Sequence, residues 1–397
     1  MKKYIPVLLI ALIVVLSSFM LGAKPESAKK ETIEPVVVLA TPIEKESSLL
    51  IEHYPQVATK KVSHKLDSLL QRINKRQDFN GSLLVAKHGK ILYDNYVGYA
   101  DFNKKAPVNE ASIFQLASVS KQFTAAAIML LFERNQIQLT DTVNKYFPHF
   151  PYENITIKNL LNHTSGLPRY FWVAEHEWNH KKAPTNSEMM ELLESSKAQR
   201  YFKPGRNFDY SNTGYFVLAS IVEKVSGKSF SAFVKKNIFE PLEMNDSFVL
   251  SSENDATIEN HLDGYRVYRG YKHLKINTTV NDAIVGDKNV YSSSIDLLKW
   301  TLGLNSGKLL SKESVNLMYS KGETISGKKI PYGFGLRINT EDPNIIYHYG
   351  KWNGFSTGLT QYQKDDLVVI ILEHTSYRAM SSLNKKVKTI ISENFHS

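Results

Sequence analysis

The chain has 397 residues, 42% hydrophobic and 11% aromatic, no cysteine, and a formal charge of +10 from 49 basic and 39 acidic side chains. This composition supports a packed core and excludes the disordered regime. The missing thiols exclude disulfides, cysteine nucleophiles, cysteine zinc sites and iron–sulfur clusters, and the scattered basic residues make nucleic acid an unexpected partner.

In chain order, Lys2 and Lys3 precede an uncharged, mostly apolar stretch over residues 4–21, followed by Gly22-Ala23. The pattern is that of an export signal. Cleaved, it releases a periplasmic protein; uncleaved, it is long enough to anchor the chain in the inner membrane facing outward. Residues 1–23 are thus read as signal peptide or anchor. Residues 24–62, rich in Lys, Glu, Pro and Ser, are read as a linker.

Residues 81–86, then Lys87-His88-Gly89-Lys90, then 91–99 predict a β-hairpin. Leu83 to Ala86 are apolar at every position, which implies a sheet covered on both faces. From Ala117 to Arg134, Phe123, Ala127, Leu130 and Leu131 fall on one stripe of a helix that starts near Ser118. Residues 157–161, 187–193 and 212–225 predict further helices, so the block 118–284 reads as mainly helical. Strands return at 332–338, 345–349, 358–363 and 367–373, with a turn at Asp365-Asp366, before an amphipathic helix over about 376–395. The expected fold is α/β (α+β): residues 63–117 and 285–397 build one antiparallel sheet from both ends of the chain, flanked by helices, around the inserted helical block.

Three short patterns carry possible chemistry. Ser118-Val119-Ser120-Lys121 puts a hydroxyl and an amine one helical turn apart at a helix start, where the dipole favours an alkoxide and a desolvated amine can accept its proton. Tyr210-Ser211-Asn212 places a phenol and a carboxamide at a loop-to-helix junction. His348-Tyr349-Gly350 lies on a late strand, where a glycine marks close approach of backbone or ligand. Singly they decide little, since S-x-x-K recurs at Ser27, Ser326 and Ser382 and Y-x-N at Tyr93 and Tyr152.

Taken in order, the three patterns resemble the serine β-lactamase and penicillin-binding protein superfamily, in the branch of class C β-lactamases, D-peptidases, DD-carboxypeptidases and esterases. The resemblance spans about residues 65–395 and includes Phe114 to Ala117, Leu161 to Pro168, Phe202 to Gly205, Gly286-Asp287 and Tyr291-Ser292-Ser293. It implies the family's β-lactamase/transpeptidase-like fold and an exported serine hydrolase that needs no cofactor. Ser118 would attack a carbonyl while Lys121 and Tyr210 share the proton traffic. The backbone N–H groups of Ser118 and Lys351, the residue after Gly350, would form the oxyanion hole. Asn212 would hold a substrate amide, and His348 would stand where relatives often carry lysine. The substrate would be a small molecule, peptide or cell-wall fragment with a peptide, ester or β-lactam-type amide bond.

The sequence departs from that pattern at His348, which is charged only when protonated, and at Lys288-Asn289, where relatives often have a glycine-rich loop. Two other readings compete. One is a penicillin-sensing or wall-binding protein with little turnover. The other is a zinc hydrolase built on His176-Glu177-Trp178-Asn179-His180, which satisfies H-E-x-x-H but has Pro184 close behind; no metal site is expected there. His163 is read as a structural hydrogen-bonding residue of its loop.

Overall fold

The run Leu83 to Ala86 has no polar face to offer water, and in the computed structural model, which describes residues 51–251 and 261–395, it forms the centre of β1 (Gly81–Lys87). β1 pairs antiparallel with β2 (Lys90–Val97) across the expected tight turn. The late strands are β3 (Arg337–Ile338), β4 (Ile345–Trp352), β5 (Phe355–Tyr362) and β6 (Leu367–Glu373). They join the hairpin in one six-stranded sheet ordered β3-β4-β5-β6-β1-β2. Its seam is the β1–β6 pairing, with Gly81 opposite Glu373 and Lys87 opposite Leu367.

Alternate residues along these strands face two separate cores. Leu83, Val85, Val369 and Ile371 pack against α1 (Gln56–Gln77) and the C-terminal helix Met380–Asn394, through Val62, Leu66, Leu69 and Leu70 on one side and Leu383 and Val387 on the other. Leu84, Ala86, Ile370 and Leu372 belong to the larger core, with Phe123, Trp300 and the remaining helices. A buried leucine on either face contributes enough that truncation to alanine costs ~2–5 kcal/mol.

The block between the hairpin and the late strands carries α2 (Lys121–Glu133), α3 (Ile157–Leu161), α4 (Tyr170–Glu177), α5 (Asn186–Ser195) and α6 (Asn212–Ser226), with a short hairpin of Tyr265–Tyr268 and Lys272–Lys275. α7 (Ser294–Asn305) then packs on β1 and β6. The described residues all belong to one compact unit.

Three local expectations need correction. The span 24–62 is not all linker, because α1 begins at Gln56 and turns Val62, Leu66, Leu69, Leu70 and Ile73 inward. The segment 332–338 is strand only at Arg337–Ile338; Gly333 N–H donates to the Leu336 carbonyl and folds the preceding residues into a turn. The apolar stripe expected on α2 is only part of its buried surface, since every residue from Lys121 to Leu131 is buried, as befits a helix enclosed by other layers. The apolar stretch 4–21 lies outside the described residues. Among those described, no helix is long and apolar enough to cross a membrane.

Candidate active site

The chain enters the site from the short strand Phe114–Gln115, and at Ala117 its backbone takes φ +49°. A left-handed alanine is a strained position that persists only where its surroundings hold it. Here Thr357 Oγ1 of β5 donates to the Leu116 carbonyl at 2.6 Å, and the Leu116 N–H donates to Val290 O at 2.8 Å. A single 3₁₀ turn, Ala117–Ser120, follows, and the α-helix proper starts at Lys121. The expected helix start at Ser118 is therefore a 3₁₀ turn, in which side chains three apart eclipse one another. Ser118 is half-buried while Lys121 is fully buried.

Lys121 Nζ has three acceptors: Ser118 Oγ at 3.2 Å, Asn212 Oδ1 at 2.8 Å and the Asp287 carbonyl at 2.8 Å. They match the three protons of an ammonium, and the serine is the one partner that can exchange a proton with it. Asn212 reaches the amine because Ser211 caps α6, its hydroxyl accepting from Gly214 N–H at 3.3 Å. His163 fixes the same loop: its Nδ1 accepts from Ser211 N–H at 3.0 Å and its carbonyl accepts from Asp209 N–H at 3.0 Å. Burial first, and then the cationic Lys121, hold the His163 imidazole well below its ordinary pKa. It acts here as a neutral prop.

Tyr210 stands beside this cluster, its ring centre 5.0 Å from Lys121 Nζ. Its hydroxyl is buried and has no hydrogen-bond partner among the described residues. A buried phenol left unpaired is costly unless water or a ligand meets it. The direct Tyr210–Lys121 hydrogen bond that shared proton traffic suggests is therefore not formed.

On the opposite wall β4 passes the Ala117–Ser120 turn. A Cβ on Gly350 would lie 2.3 Å from the Leu116 carbonyl oxygen and 3.0 Å from Ala117 Cβ. Only glycine lets the strand approach that closely to the turn that carries Ser118, and the exposed Lys351 is the next residue along it. His348 is buried, with Nδ1 2.8 Å from the Tyr349 carbonyl and Nε2 3.1 Å from the Tyr332 hydroxyl. The carbonyl requires Nδ1 to donate, so Nε2 accepts from the phenol. Burial, then Lys121 and Arg337, push the imidazole well below its ordinary pKa. His348 is thus neutral and cannot supply the positive charge that a lysine would place there.

A cation that no motif flagged, Arg337, does stand near the site. Its guanidinium carbon lies 5.1 Å from the Tyr210 ring centre and 5.8 Å from that of Tyr332. The sequence predicts a strand here but gives no sign that it serves the site; Arg337 is brought there by its pairing with Tyr347, one residue before His348.

The loop 282–290 closes the site beneath Lys121. Thr124 Oγ1 donates to Gly286 O at 2.6 Å and Val290 N–H donates to Ser120 Oγ at 3.0 Å. The departure at Asn289 is conformationally accommodated, for this residue takes φ +74°, a region asparagine enters more readily than most residues.

The rival motif is not assembled. α4 ends at Glu177 and Trp178 is extended, so His176 and His180 share no helical face. His176 Nδ1 lies 2.9 Å from the Trp172 carbonyl, Glu177 accepts from Ser196, and no metal-ligating cluster occurs among the described residues.

A family model described as Beta-lactamase matches residues 66–388. Penicillin-binding protein 4* of Bacillus subtilis is 37% identical over 309 residues, covering 75% of this chain and 68% of its own. The putative penicillin-binding protein PbpX of the same organism is 30% identical over 319 residues, covering 80% and 75%. A penicillin-binding protein structure from Bacillus halodurans superposes with a TM-score of 0.71 at 24% identity, over 81% of this chain and 98% of that one. Since the family match runs from the middle of α1 to within the last helix and takes in both walls of the Ser118 cleft, this chain is a member of the Beta-lactamase family, within the serine β-lactamase and penicillin-binding protein superfamily.

Proposed function

We propose that this protein is an exported serine hydrolase that forms an acyl-enzyme at Ser118, on a small-molecule, peptide or wall-derived substrate with a carboxylate near the scissile bond. The observation that carries the reading is the Lys121 ammonium, buried and directed at Ser118 Oγ at 3.2 Å. With one proton lost, Lys121 accepts the serine proton as Oγ bonds to the substrate carbonyl carbon. The carbonyl π pair moves onto oxygen, opposite the N–H groups of Ser118 and Lys351. Collapse of the intermediate breaks the bond to the leaving group, which takes a proton from Lys121 or through the unpartnered Tyr210 hydroxyl. Water then attacks the acyl carbon by the same path in reverse, releasing the acid and restoring Ser118. Asn212 orients the lysine, its Oδ1 accepting from Lys121 Nζ at 2.8 Å, and in this reading its carboxamide meets a substrate amide.

Arg337 supports the carboxylate preference, since a guanidinium pairs with a carboxylate through two parallel hydrogen bonds. The names of the relatives, penicillin-binding proteins, support a peptide or β-lactam-type amide as the scissile bond and a location in the cell envelope. The test is turnover of a D-amino-acid dipeptide, a penicillin and a neutral activated ester by wild type and Ser118→Ala. Product from wild type alone, unaffected by a chelator, is expected. Chelator-sensitive hydrolysis that survives Ser118→Ala would return the chemistry to His176 and His180, and acylation without product release would mark a sensor.

A further inference from the structure

A second buried lysine lies next to the first. Lys288 is 2% exposed, and its ammonium sits between three aromatic rings, 5.3 Å from the centre of Tyr170, 5.2 Å from Phe171 and 5.0 Å from Trp352. It donates to the Tyr170 hydroxyl at 2.6 Å and approaches Asp287 Oδ1 at 3.4 Å, while the Tyr170 hydroxyl donates to Asp287 Oδ2 at 3.1 Å. The backbone carbonyl of that same Asp287 accepts from Lys121. The rings come from α4 and from the residue that follows Lys351.

We propose that Lys288 is a positioning residue for the lysine base. Its charge compensates the carboxylate of Asp287, the residue whose backbone carbonyl holds Lys121, and its aromatic cage ties Asp287 to the end of β4, which carries Lys351. The proposal rests on the acyl-enzyme reading and adds a residue that touches neither substrate nor Ser118.

The charges around this ammonium are few. Burial weighs most and lowers the Lys288 pKa from the ordinary lysine value; Asp287 and Asp282 of its own loop work against that shift, Lys121 of α2 adds to it, and Tyr170 of α4 is held as the neutral phenol by burial. Asp282 is otherwise engaged, accepting from Trp352 Nε1 at 2.5 Å and Asn353 Nδ2 at 2.7 Å. Removing the Lys288 charge leaves uncompensated the carboxylate of the residue whose carbonyl holds Lys121, which favours the protonated and inactive base. Removing the carboxylate instead leaves a second cation there and favours the free base.

The experiment is the pH dependence of kcat/KM and kcat for a neutral activated ester in wild type, Lys288→Met, Asp287→Asn and the double variant, with Ser118→Ala alongside. The acid limb of Lys288→Met is expected to move to higher pH, and that of Asp287→Asn to lower pH. The double variant returns it to within about 0.3 pH units of wild type. On the plateau, kcat of Lys288→Met falls ~10–100-fold with KM changed less than about threefold, the scale of a small misplacement of the reacting groups. A merely structural lysine would lower activity in both Lys288→Met and the double variant with all limbs superimposed, and that result overturns the proposal. If Lys288→Met does not fold, the opposite displacement in Asp287→Asn still decides the sign. Hydrolysis that persists in Ser118→Ala sinks the acyl-enzyme reading and this proposal with it. Hydrolysis that needs Ser118 but shows unmoved limbs sinks this proposal alone.

Discussion

Lys121 and Lys288 are both buried cations, both touch Asp287, and they are held in opposite ways. Around Lys121 the rings of Tyr210 and Tyr215 also stand near, but all three of its protons go to oxygens, one of them the hydroxyl of the half-buried Ser118. Around Lys288 they are chiefly ring faces, with a phenol whose own proton is already committed to Asp287. A ring face attracts a cation without exchanging a proton with it. Burial alone therefore does not make a lysine a base. The difference lies in whether a neighbour can give up a proton to it and then meet a substrate.

That contrast is broken most severely at the serine. Ser118→Ala and Lys121→Met are each expected to lower kcat by ~10³-fold or more, and the double variant to be no worse than either, because groups that act as one unit are not additive. Steady-state kinetics on an activated ester checks this; additive losses would separate the two residues. Tyr210→Phe comes next, with an expected loss of ~10²-fold or more, the size of a general acid–base contribution. Its loss should grow as the leaving group becomes more basic, which a series of phenyl esters would show.

Arg337→Gln sharpens the other wall of the cleft. For substrates with a carboxylate beside the scissile bond kcat/KM is expected to fall ~10–100-fold, the range of a lost charge-assisted pair. A neutral ester should change less than about threefold. Equal losses on both substrates would make Arg337 a packing residue. His348→Gln, by contrast, should leave the carboxylate preference intact, since the imidazole it replaces is already neutral.

The smallest effect on activity is expected at another buried ionisable group, Glu373 at the end of β6. Burial raises its carboxyl to about 8, against the donors from Thr375 and Tyr377 that favour the anion. The folded state thus binds this proton more tightly than the unfolded one, whose value is near 4.5. Its contribution is complete below that lower value and is lost as pH rises towards about 8. Glu373→Gln should flatten the fall in stability over that window by ~1–3 kcal/mol while leaving kcat unchanged. Denaturant midpoints measured from pH 5 to 8 test it.

The readable parts of this molecule were those whose signal is local. Leu83 to Ala86 announced a strand buried on two faces because four consecutive apolar residues leave no alternative in a short strand. The Ser118 and Lys121 pair was readable because a turn of helix suffices to bring the groups together. The start of helix α1 reads as the end of a linker that runs to residue 62, because its Lys-rich first turns continue the polar text before them, although Val62, Leu66, Leu69 and Ile73 carry helical spacing. Arg337 and the Lys288 cage could not be read at all. One depends on a two-residue strand pairing with Tyr347, and the other on rings at 170, 171 and 352 that only the fold unites.

The account rests on a covalent bond at Ser118, and the direct measurement is rapid-quench intact-mass spectrometry followed by peptide mapping, with wild type and Ser118→Ala mixed with a penicillin or an activated ester. The expected result is an acyl adduct on the peptide containing Ser118, absent from the variant, that decays as product appears. Hydrolysis with no adduct at any quench time, or an adduct mapped to another residue, would contradict it.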